Sequence, residues 1–211
     1  MNKKLLCFGL GMILLFLLWT VLVCSVDKAP IGPNGSIVGF SGLNSIVHRI
    51  TGVDMTFYAV TDWLGLIPLG FVVLFGVQGL AQWIKGKSLK KVDYSLRMLG
   101  VYYLVVLVLF VLFEELALNY RPVLIDGVLE ASYPSSTTLL VLCVMPTVFI
   151  QLKLRVKNSI LISCCNYCIA VFSVFMIVGR LLSGVHWATD IIGSVLLSAG
   201  LISIYCGIVF E

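Results

Sequence analysis

The sequence predicts an all-α integral membrane protein, a bundle of six transmembrane helices. Three observations support this fold class: 60% of the 211 residues are hydrophobic, only 11% are charged, and long apolar runs recur along the chain. About a quarter of the residues of a soluble domain are charged, so an ordinary soluble fold is excluded. The few charges leave no extended basic surface, and we expect no nucleic-acid partner.

Six apolar runs are long enough, or nearly long enough, to cross a bilayer as helices, which takes about 20 residues. Their approximate bounds are 5–23, 60–83, 99–118, 135–152, 160–178 and 191–210. The first run follows Lys3 and Lys4, as the apolar core of a signal peptide does. Its length and the lack of a convincing cleavage site favour a membrane anchor instead. With no long linker and no internal repeat in the sequence, a single domain over residues 1–211 is expected.

The basic residues predict the orientation, because cytoplasmic loops collect Lys and Arg. Ten of the 14 Lys and Arg residues precede the first run or lie in the second and fourth loops. The remaining four, on the opposite side, are Lys28, Arg49, Arg121 and Arg180. We therefore expect a multi-pass cell-membrane protein whose two termini are cytoplasmic and whose odd-numbered loops face outward.

The first outer loop, residues 25–59, is rich in Gly and Ser before it becomes mildly amphipathic. Its apolar positions are Ile46, Val47, Ile50, Val53 and Phe57. They suit a helix that lies on the membrane surface and covers the mouth of the bundle. An ordered loop with no role beyond connection is an equal alternative.

The seven cysteines do not indicate a metal site. Most of them lie inside the apolar runs without regular spacing, which is typical of small residues that face lipid or the core. Cys164 and Cys168 are one helical turn apart, but no histidine lies near them in the sequence to complete a zinc site. We expect neither a metal nor another cofactor.

Two polar clusters stand out, because ionisable groups at a membrane edge are costly and often functional. The first joins the third run to the fourth and includes Glu114, Glu115, Arg121, Asp126, Glu130, Tyr133, Ser135, Ser136 and Thr137. The second joins the fifth run to the sixth and includes Arg180, Ser183, His186, Thr189 and Asp190. Both fall on the predicted outer face, where they can form one site.

His186 and Asp190 are four residues apart, a spacing that on a helix puts both side chains on one face. Asp190 can then hold one imidazole nitrogen and leave the other free as a nucleophile or base. The alternative interpretation is structural. In it, His186 and Trp187 belong to a polar-aromatic belt at the membrane interface, and Asp190 caps the last helix.

Ser135 and Ser136 indicate the N-terminus of the fourth helix, where free backbone N–H groups and the helix dipole favour an anion. For such a motif alone, helix capping is the more common role. Arg121 and Arg180 favour the anion, because planar guanidinium groups hold phosphate oxygens in pairs. Anchoring at the lipid headgroup level is the alternative role of the two arginines.

Taken in order, these residues resemble the three-part signature of the type 2 phosphatidic acid phosphatase (PAP2) family of membrane phosphatases. The resemblance is carried by Arg121-Pro122, by Pro134-Ser135-Ser136, and by Arg180 followed by His186 and Asp190. The six-span layout and the outward placement of the three parts also match, so the resemblance covers most of the chain.

The resemblance implies a PAP2/haloperoxidase-like bundle and a role for each matching residue. His186 would attack a lipid phosphate and form a phosphohistidine, with Asp190 orienting the imidazole. Arg121, Arg180 and the backbone at Ser135–Ser136 would hold the phosphate. Water would then cleave the phosphohistidine.

Three positions depart from the family pattern. Glu114 stands where the family has lysine, Thr137 where its second part ends in histidine, and Gly179 where serine usually precedes the arginine. A carboxylate in place of a cation weakens phosphate binding unless Glu114 is protonated or paired with an arginine. Without the second histidine, the site lacks the usual acid for the leaving group, whose help is commonly worth ~10²–10⁴ in rate.

The leading hypothesis is an outward-facing lipid phosphatase that acts through His186. Because a phosphate leaving from a diphosphate is already a stable anion, we expect diphosphate lipids, such as a polyprenyl diphosphate, to be favoured over phosphate monoesters. Candidates for a substitute acid are Glu115, Asp126, Glu130 and Tyr133. The main alternative is a catalytically impaired relative that binds lipid phosphate headgroups or regulates a partner. A small transporter has less support.

Overall fold

The computed structural model describes residues 2–210 as a helical bundle, in which extended pairing is limited to three isolated β-bridges. The helices are α1 (Lys3–Ser25), α2 (Ser41–Thr51), α3 (Met55–Leu64), α4 (Leu66–Gly86), α5 (Tyr94–Leu116), α6 (Ser136–Arg155), α7 (Ser159–Leu182) and α8 (Ala188–Val209). Six segments are long and apolar enough to cross a membrane: α1, the pair α3–α4, α5, α6, α7 and α8. The all-α fold with six transmembrane segments is therefore confirmed.

The second predicted run, 60–83, is divided into two helices. α3 starts five residues earlier than predicted, at Met55, and α4 continues after a break at Gly65. Pro68 has no N–H to bond the carbonyl four residues before it, so one backbone hydrogen bond of the helix is missing at the break. The N–H of Gly65 is shared between the carbonyls of Thr61 and Asp62, at 3.0 and 3.1 Å, which tightens the last turn of α3.

The ends of the other helices decide which side chains reach the loops. α5 ends at Leu116, two residues before the predicted end, because Ala117 has a left-handed φ of 43°. α7 extends to Leu182, four residues past the predicted end, and thereby carries Arg180 in its last turn. α8 begins at Ala188, three residues before the predicted start.

α6 and α8 form the centre of the bundle, with half of the most apolar stretch of each buried. α1 packs closely along α8. A Cβ atom at Gly200 would lie 2.6 Å from the side chain of Ile13, so glycine is what lets the two helices approach this far. Next to this contact, the rings of Phe16 and Phe113 meet edge to face with centroids 5.6 Å apart. The outer helices expose apolar faces, as lipid contact requires.

The first outer loop contains α2, whose polar side faces the bundle, and the start of α3. Asn44 is fully buried, and its Nδ2 donates to Thr189 Oγ1 at 3.0 Å, which fixes α2 to the start of α8. Ile46 and Ile50 are 52% and 79% exposed. An amphipathic helix was predicted here, but it ends at Thr51, before the last two apolar positions of the pattern.

Polar residues collect at both ends of the bundle. At the site end, the segments 117–135 and 183–187 meet the starts of α6 and α8. At the other end lies what we call the opposite-end network, formed by Asp93, Ser95, Gln151, Arg155 and Tyr205. Gln151 Nε2 donates to Tyr205 Oη at 2.7 Å, and Arg155 Nη2 pairs with Asp93 Oδ2 at 3.3 Å.

Candidate functional site

The structure brings the predicted site residues together at the site end. His186 Nε2 lies 3.1 Å from Arg180 Nη2, and the backbone N–H of Ser135 donates to the carbonyl of Asp190 at 3.3 Å. Arg121, in the loop after α5, and Arg180 both approach the ring of Tyr58, with guanidinium carbons 6.0 and 5.2 Å from its centroid. Residues far apart in the chain thus converge because the segments 117–135 and 183–187 lie at one end of the bundle.

His186 lies in the turn between α7 and α8, so it is not on one helix with Asp190. Gly184, with a φ of 66°, makes the turn possible, since that conformation is unfavourable for other residues. Nδ1 of His186 lies 3.1 Å from the carbonyl of Ser132. A carbonyl only accepts hydrogen bonds, so Nδ1 carries the proton and donates it, and Nε2 keeps its lone pair towards Arg180.

The charge state of His186 follows from its surroundings. Burial, followed by the positive charges of Arg180 and Arg121, holds the pKa of this imidazole well below its ordinary value. The neutral ring is the form that has a free lone pair for attack. The geometry and the pKa therefore both favour Nε2 as a nucleophile.

Asp190 is the third residue of α8 and is fully buried. Its Oδ2 accepts the N–H of Trp187 at 2.9 Å, which caps the helix, and lies 3.7 Å from His186 Nδ1. Its Oδ1 receives a long bond of 3.5 Å from Asn119. The carboxylate therefore caps α8 and faces the imidazole without bonding it directly, which suits the stabilisation of positive charge on the ring.

Arg180 is 1% exposed at the end of α7. Its Nη1 lies 3.5 Å from Thr61 Oγ1 and 3.9 Å from Asp62 Oδ1, and its guanidinium carbon is 5.2 Å from the centroid of the Tyr58 ring. Among the residues described, Nε of Arg180 meets no hydrogen-bond acceptor. α3 thus supports this arginine through three side chains and leaves one donor free.

Arg121 faces the other side of the cluster. Its Nε lies 3.1 Å from Glu130 Oε2, an ion pair without the alignment of a hydrogen bond, and its guanidinium carbon is 6.0 Å from the Tyr58 ring. Nη1 of Arg121 also finds no acceptor within residues 2–210. Two buried guanidinium groups with unused donors, held around one aromatic ring, form a site suited to an anion.

The start of α6 supplies backbone donors. Ser135 is the buried N-cap residue, but its hydroxyl donates to Thr138 Oγ1 at 3.0 Å and makes no capping bond to the first-turn N–H groups. Ser136, half-buried, opens the helix. The first-turn N–H groups and the helix dipole therefore remain suited to an anion, as the sequence suggested.

The three departures from the family pattern have distinct surroundings. Glu114 is in the last turn of α5 and lines a small cavity with Ser132 and Ser136. Thr137 lines a larger cleft, described below. Gly179 accommodates Thr61, because a Cβ atom at residue 179 would come within 2.7 Å of the Thr61 methyl group. The hydroxyl of Thr61 in turn lies near Arg180, so Thr61 occupies the space of the missing serine side chain.

The four candidates for a substitute acid do not gather at the imidazole. Glu130 pairs with Arg121, and Glu115 is exposed near the end of α5. Asp126 is exposed in a turn with a φ of 49°. Tyr133 is buried, its hydroxyl bonds Thr20 Oγ1 at 2.8 Å, and burial raises the pKa of the phenol, which makes it a poor proton donor near neutral pH.

A cleft of about 600 Å³ runs between α4, α5 and α6 from the site end into the apolar part of the bundle. Its polar lining, at the site end, consists of Asp62, Ser136 and Thr137. The rest is mainly aliphatic and aromatic, with residues such as Leu69 and Phe110. A molecule with a polar head and an apolar tail fits this distribution.

Sequence reasoning missed the contribution of α3, namely Tyr58, Thr61 and Asp62. Thr61 and Asp62 lie at the start of the second predicted run, 60–83, and neither was singled out as a candidate site residue. An ionisable residue inside a predicted span was nevertheless a usable signal, because such residues are rare and often functional. The sequence also gave no indication of the Ser132 carbonyl, since any residue can supply that group.

Comparisons with known proteins agree with this architecture. The model of the PAP2 superfamily matches residues 100–211. A search of curated proteins finds no significant match. Among solved structures, the chain is similar to a transmembrane PAP2-type phosphatidylglycerolphosphate phosphatase from Bacillus subtilis, with a TM-score of 0.64 and 18% identity. The match covers 96% of this chain and 95% of that one, and at this identity it shows a shared fold.

Proposed function

The chain belongs to the PAP2 superfamily, whose model matches more than half of it, and from this premise we propose that it is a membrane lipid phosphatase acting through a phosphohistidine at His186. The similar Bacillus subtilis protein is a phosphatase of a phospholipid phosphate. The observation that carries the proposal is the position of His186 Nε2, 3.1 Å from Arg180 Nη2 with Nδ1 held by Ser132.

The chemistry begins with the neutral imidazole. When the donors of Arg180 turn to the oxygens of a phosphate, the Nε2 lone pair is free to attack phosphorus, while the Ser132 carbonyl keeps the proton on Nδ1. The ring becomes positively charged as the P–N bond forms. Asp190 Oδ2, 3.7 Å from Nδ1, stabilises that charge.

The phosphate is held by Arg121, Arg180 and the first-turn N–H groups of α6, which begins at Ser136 after the N-cap Ser135. The support for these assignments is that both arginines are buried and have donors without partners within residues 2–210. Each guanidinium can then form charge-assisted hydrogen bonds to phosphate oxygens without first giving up a strong internal bond at those nitrogens.

The substrate is a lipid phosphate or diphosphate whose chain lies in the cleft between α4, α5 and α6. Thr137 cannot protonate a leaving group as histidine does, so a diphosphate lipid, with a leaving group that needs no proton, is the preferred substrate. A polyprenyl diphosphate is the example we favour. The site end carries few basic residues and the opposite end many, so we assign the site to the extracytoplasmic face and both termini to the cytoplasm.

Phosphate release by the purified protein tests the proposal. We expect release from a polyprenyl diphosphate to exceed release from phosphatidic acid, and His186→Ala to abolish both. The matched control is His48→Gln, which changes the other histidine of the chain and keeps a donor for its contact with the carbonyl of Gly184 at 3.2 Å. Release that persists in His186→Ala would contradict the proposal.

A second candidate function has an observation of its own. Carboxylates accompany both arginines: Glu130 lies 3.1 Å from Arg121 and Asp62 lies 3.9 Å from Arg180. This partial neutralisation favours an impaired relative that binds lipid phosphate headgroups or regulates a partner. Binding of lipid phosphate by the wild-type protein, without release above the His186→Ala level, would favour that function.

A further inference from the structure

Asp62 occupies a position at the site that the family signature does not include. It lies at the end of α3, with its side chain 60% exposed and Oδ1 3.9 Å from Arg180 Nη1. It also lines the large cleft together with Ser136 and Thr137. The carboxyl group is therefore next to a phosphate-binding arginine and at the polar end of the space for the lipid.

Thr137 stands where the family signature has the histidine that protonates the leaving group. In the structure, Thr137 and Asp62 line the same end of the cleft, on either side of Gly65. A Cβ atom at Gly65 would lie 3.3 Å from the Thr137 methyl group, so the residue that ends α3 approaches the start of α6 closely. The gap left by the missing histidine is thus adjacent to an acidic residue.

The position of Asp62 relative to His186 matters because attack at phosphorus has a preferred direction. In an in-line displacement at phosphorus, the attacking and leaving atoms lie on opposite sides of the phosphoryl group. His186 contacts Arg180 at Nη2, and Asp62 approaches it at Nη1. His186 and Asp62 therefore flank the two terminal nitrogens of the guanidinium that holds the phosphoryl group in the proposed function.

We propose that Asp62 is the catalytic acid that protonates the leaving oxygen of lipid monophosphates, in place of the histidine absent at residue 137. The assignment rests on the proposed function of the site. It also explains how monoesters can be cleaved at all, while diphosphates, whose leaving group needs no proton, do not depend on Asp62.

The protons and electrons balance as follows. The lone pair of His186 Nε2 forms the P–N bond, the bond from phosphorus to the lipid oxygen breaks, and that oxygen takes the proton of the Asp62 carboxyl group. Water then attacks phosphorus and gives a proton to Asp62, the P–N electrons return to Nε2, and inorganic phosphate leaves.

Other carboxyl groups are placed less well for this step. Asp190 caps α8 and faces the attacking ring, and Glu130 accompanies Arg121. Glu114 lines the small cavity beside Ser132 and is not among the described residues that line the large cleft. Among the described residues that line the large cleft, Asp62 is the one with a carboxyl group.

Two substrates with the same polyprenyl chain, a monophosphate and a diphosphate, test the assignment in detergent micelles with the full-length protein. For Asp62→Asn, we expect the kcat for the monophosphate to fall about 10²-fold, the lower part of the usual range for general acid catalysis. The kcat for the diphosphate stays close to the wild-type value. Asp62→Glu restores part of the monophosphate turnover, because it restores a carboxyl group.

The matched control is Asp54→Asn, the same exchange on the same helix. Asp54 is the exposed N-cap of α3, and asparagine caps helices equally well, so both activities are expected to be retained. An equal fall on both substrates would overturn the assignment in favour of a structural role. An equal rise on both substrates would show that Asp62 only competes with phosphate for Arg180. The assignment would also be overturned if Asp62→Asn left monophosphate turnover unchanged, or if the wild-type protein did not turn over the monophosphate.

The failure of the proposed function has a different signature. In that case His186→Ala leaves phosphate release from both substrates unchanged, or neither substrate is cleaved by the wild-type protein, and the assignment of Asp62 fails with it. Elution of each variant as a single peak at the wild-type volume in size-exclusion chromatography separates loss of chemistry from loss of fold.

Discussion

Arg155 and Arg180 lie at opposite ends of the bundle, the first exposed and the second buried, and they are held differently. In the opposite-end network, Arg155 bonds Gln151 and pairs with Asp93, and Gln151 also bonds Tyr205. At the site end, Arg180 is more deeply buried yet relies on long contacts of 3.5 and 3.9 Å to α3, with its Nε unused among the described residues. The guanidinium of Arg155 is thus bonded within its network, whereas that of Arg180 keeps a donor without a partner among the described residues.

The difference separates stability from binding. Hydrogen bonds between transmembrane helices each stabilise a fold by up to about 1.7 kcal/mol, and the opposite-end network uses all its members in this way. Buried donors without acceptors lower stability, and natural proteins tolerate them chiefly where a ligand uses them. The unpaired donors at the site end therefore lower the stability of the fold, but they are already in position to bind an anion.

The largest effect expected from this comparison is on activity. Arg180→Gln should lower kcat/KM on the order of 10²–10³-fold, because it removes donors from the charged transition state. The melting temperature should stay the same or rise, since a buried and poorly paired charge is lost. Arg155→Gln is the matched exchange at the opposite end and should keep activity per folded molecule. Equal losses of activity in both variants would contradict the conclusion that Arg180 serves binding and Arg155 serves stability.

A second change addresses stability. Gln151→Leu leaves the hydroxyl of Tyr205 and the guanidinium of Arg155 without their shared partner, so we expect the free energy of unfolding to fall by about 1–2 kcal/mol. Thermal unfolding in detergent measures this loss. Phosphate release per folded molecule should not change at a temperature well below the midpoint. An unchanged midpoint would show that the network contributes nothing to the stability of the bundle.

The pH dependence of kcat/KM tests the charge state of His186 at the site end. The reactive imidazole is the neutral form, and its pKa is lowered by burial, Arg180 and Arg121. Activity is therefore retained as the pH falls through about 6.5, the ordinary histidine value, and is lost only at lower pH. The residual activity of Arg180→Gln should begin to fall at a higher pH than in the wild type. An acid limb centred at 6.5 in the wild type would contradict the buried, cation-flanked setting of His186.

The smallest expected effect concerns the ion pair of Arg121. Glu130 is 40% exposed, so screening limits the pair to at most about 1 kcal/mol. Glu130→Gln should tighten inhibition by inorganic phosphate by no more than about fivefold, because it removes a competing carboxylate from Arg121. The inhibition constant measures the change. Weaker inhibition would mean that Glu130 positions Arg121 instead of competing with phosphate.

Much of the fold could be predicted from the sequence because a bilayer imposes a length and a composition on each span. The apolar runs gave the six segments, and the polar clusters between them gave the site end. The break at Gly65 was not predicted, since one helix and two helices in succession have the same hydropathy. The contact of Asn44 with α8 could not be predicted either, because tertiary packing decides which side of an amphipathic helix faces the protein.

The site could be predicted as a set of residues, but its hydrogen bonds could not. Spacing on a helix suggested that Asp190 holds the imidazole of His186, whereas the turn at Gly184 puts His186 before the helix and gives its Nδ1 to the Ser132 carbonyl. The contact of Asp62 with Arg180 could not be predicted for another reason. A side chain 118 residues away from Arg180 in the chain becomes its neighbour only through the packing of α3 on α7.

The cleft between α4, α5 and α6 sets the kind of kinetics that the proposed phosphatase obeys. Because the lipid chain stays beside the bilayer while the head is cleaved, encounters occur in two dimensions, and the mole fraction of substrate in the micelle or membrane replaces its bulk concentration. Adding inert detergent at constant total substrate lowers the rate by surface dilution. We expect the dephosphorylated lipid to return to the membrane along the same cleft and only inorganic phosphate to leave into water.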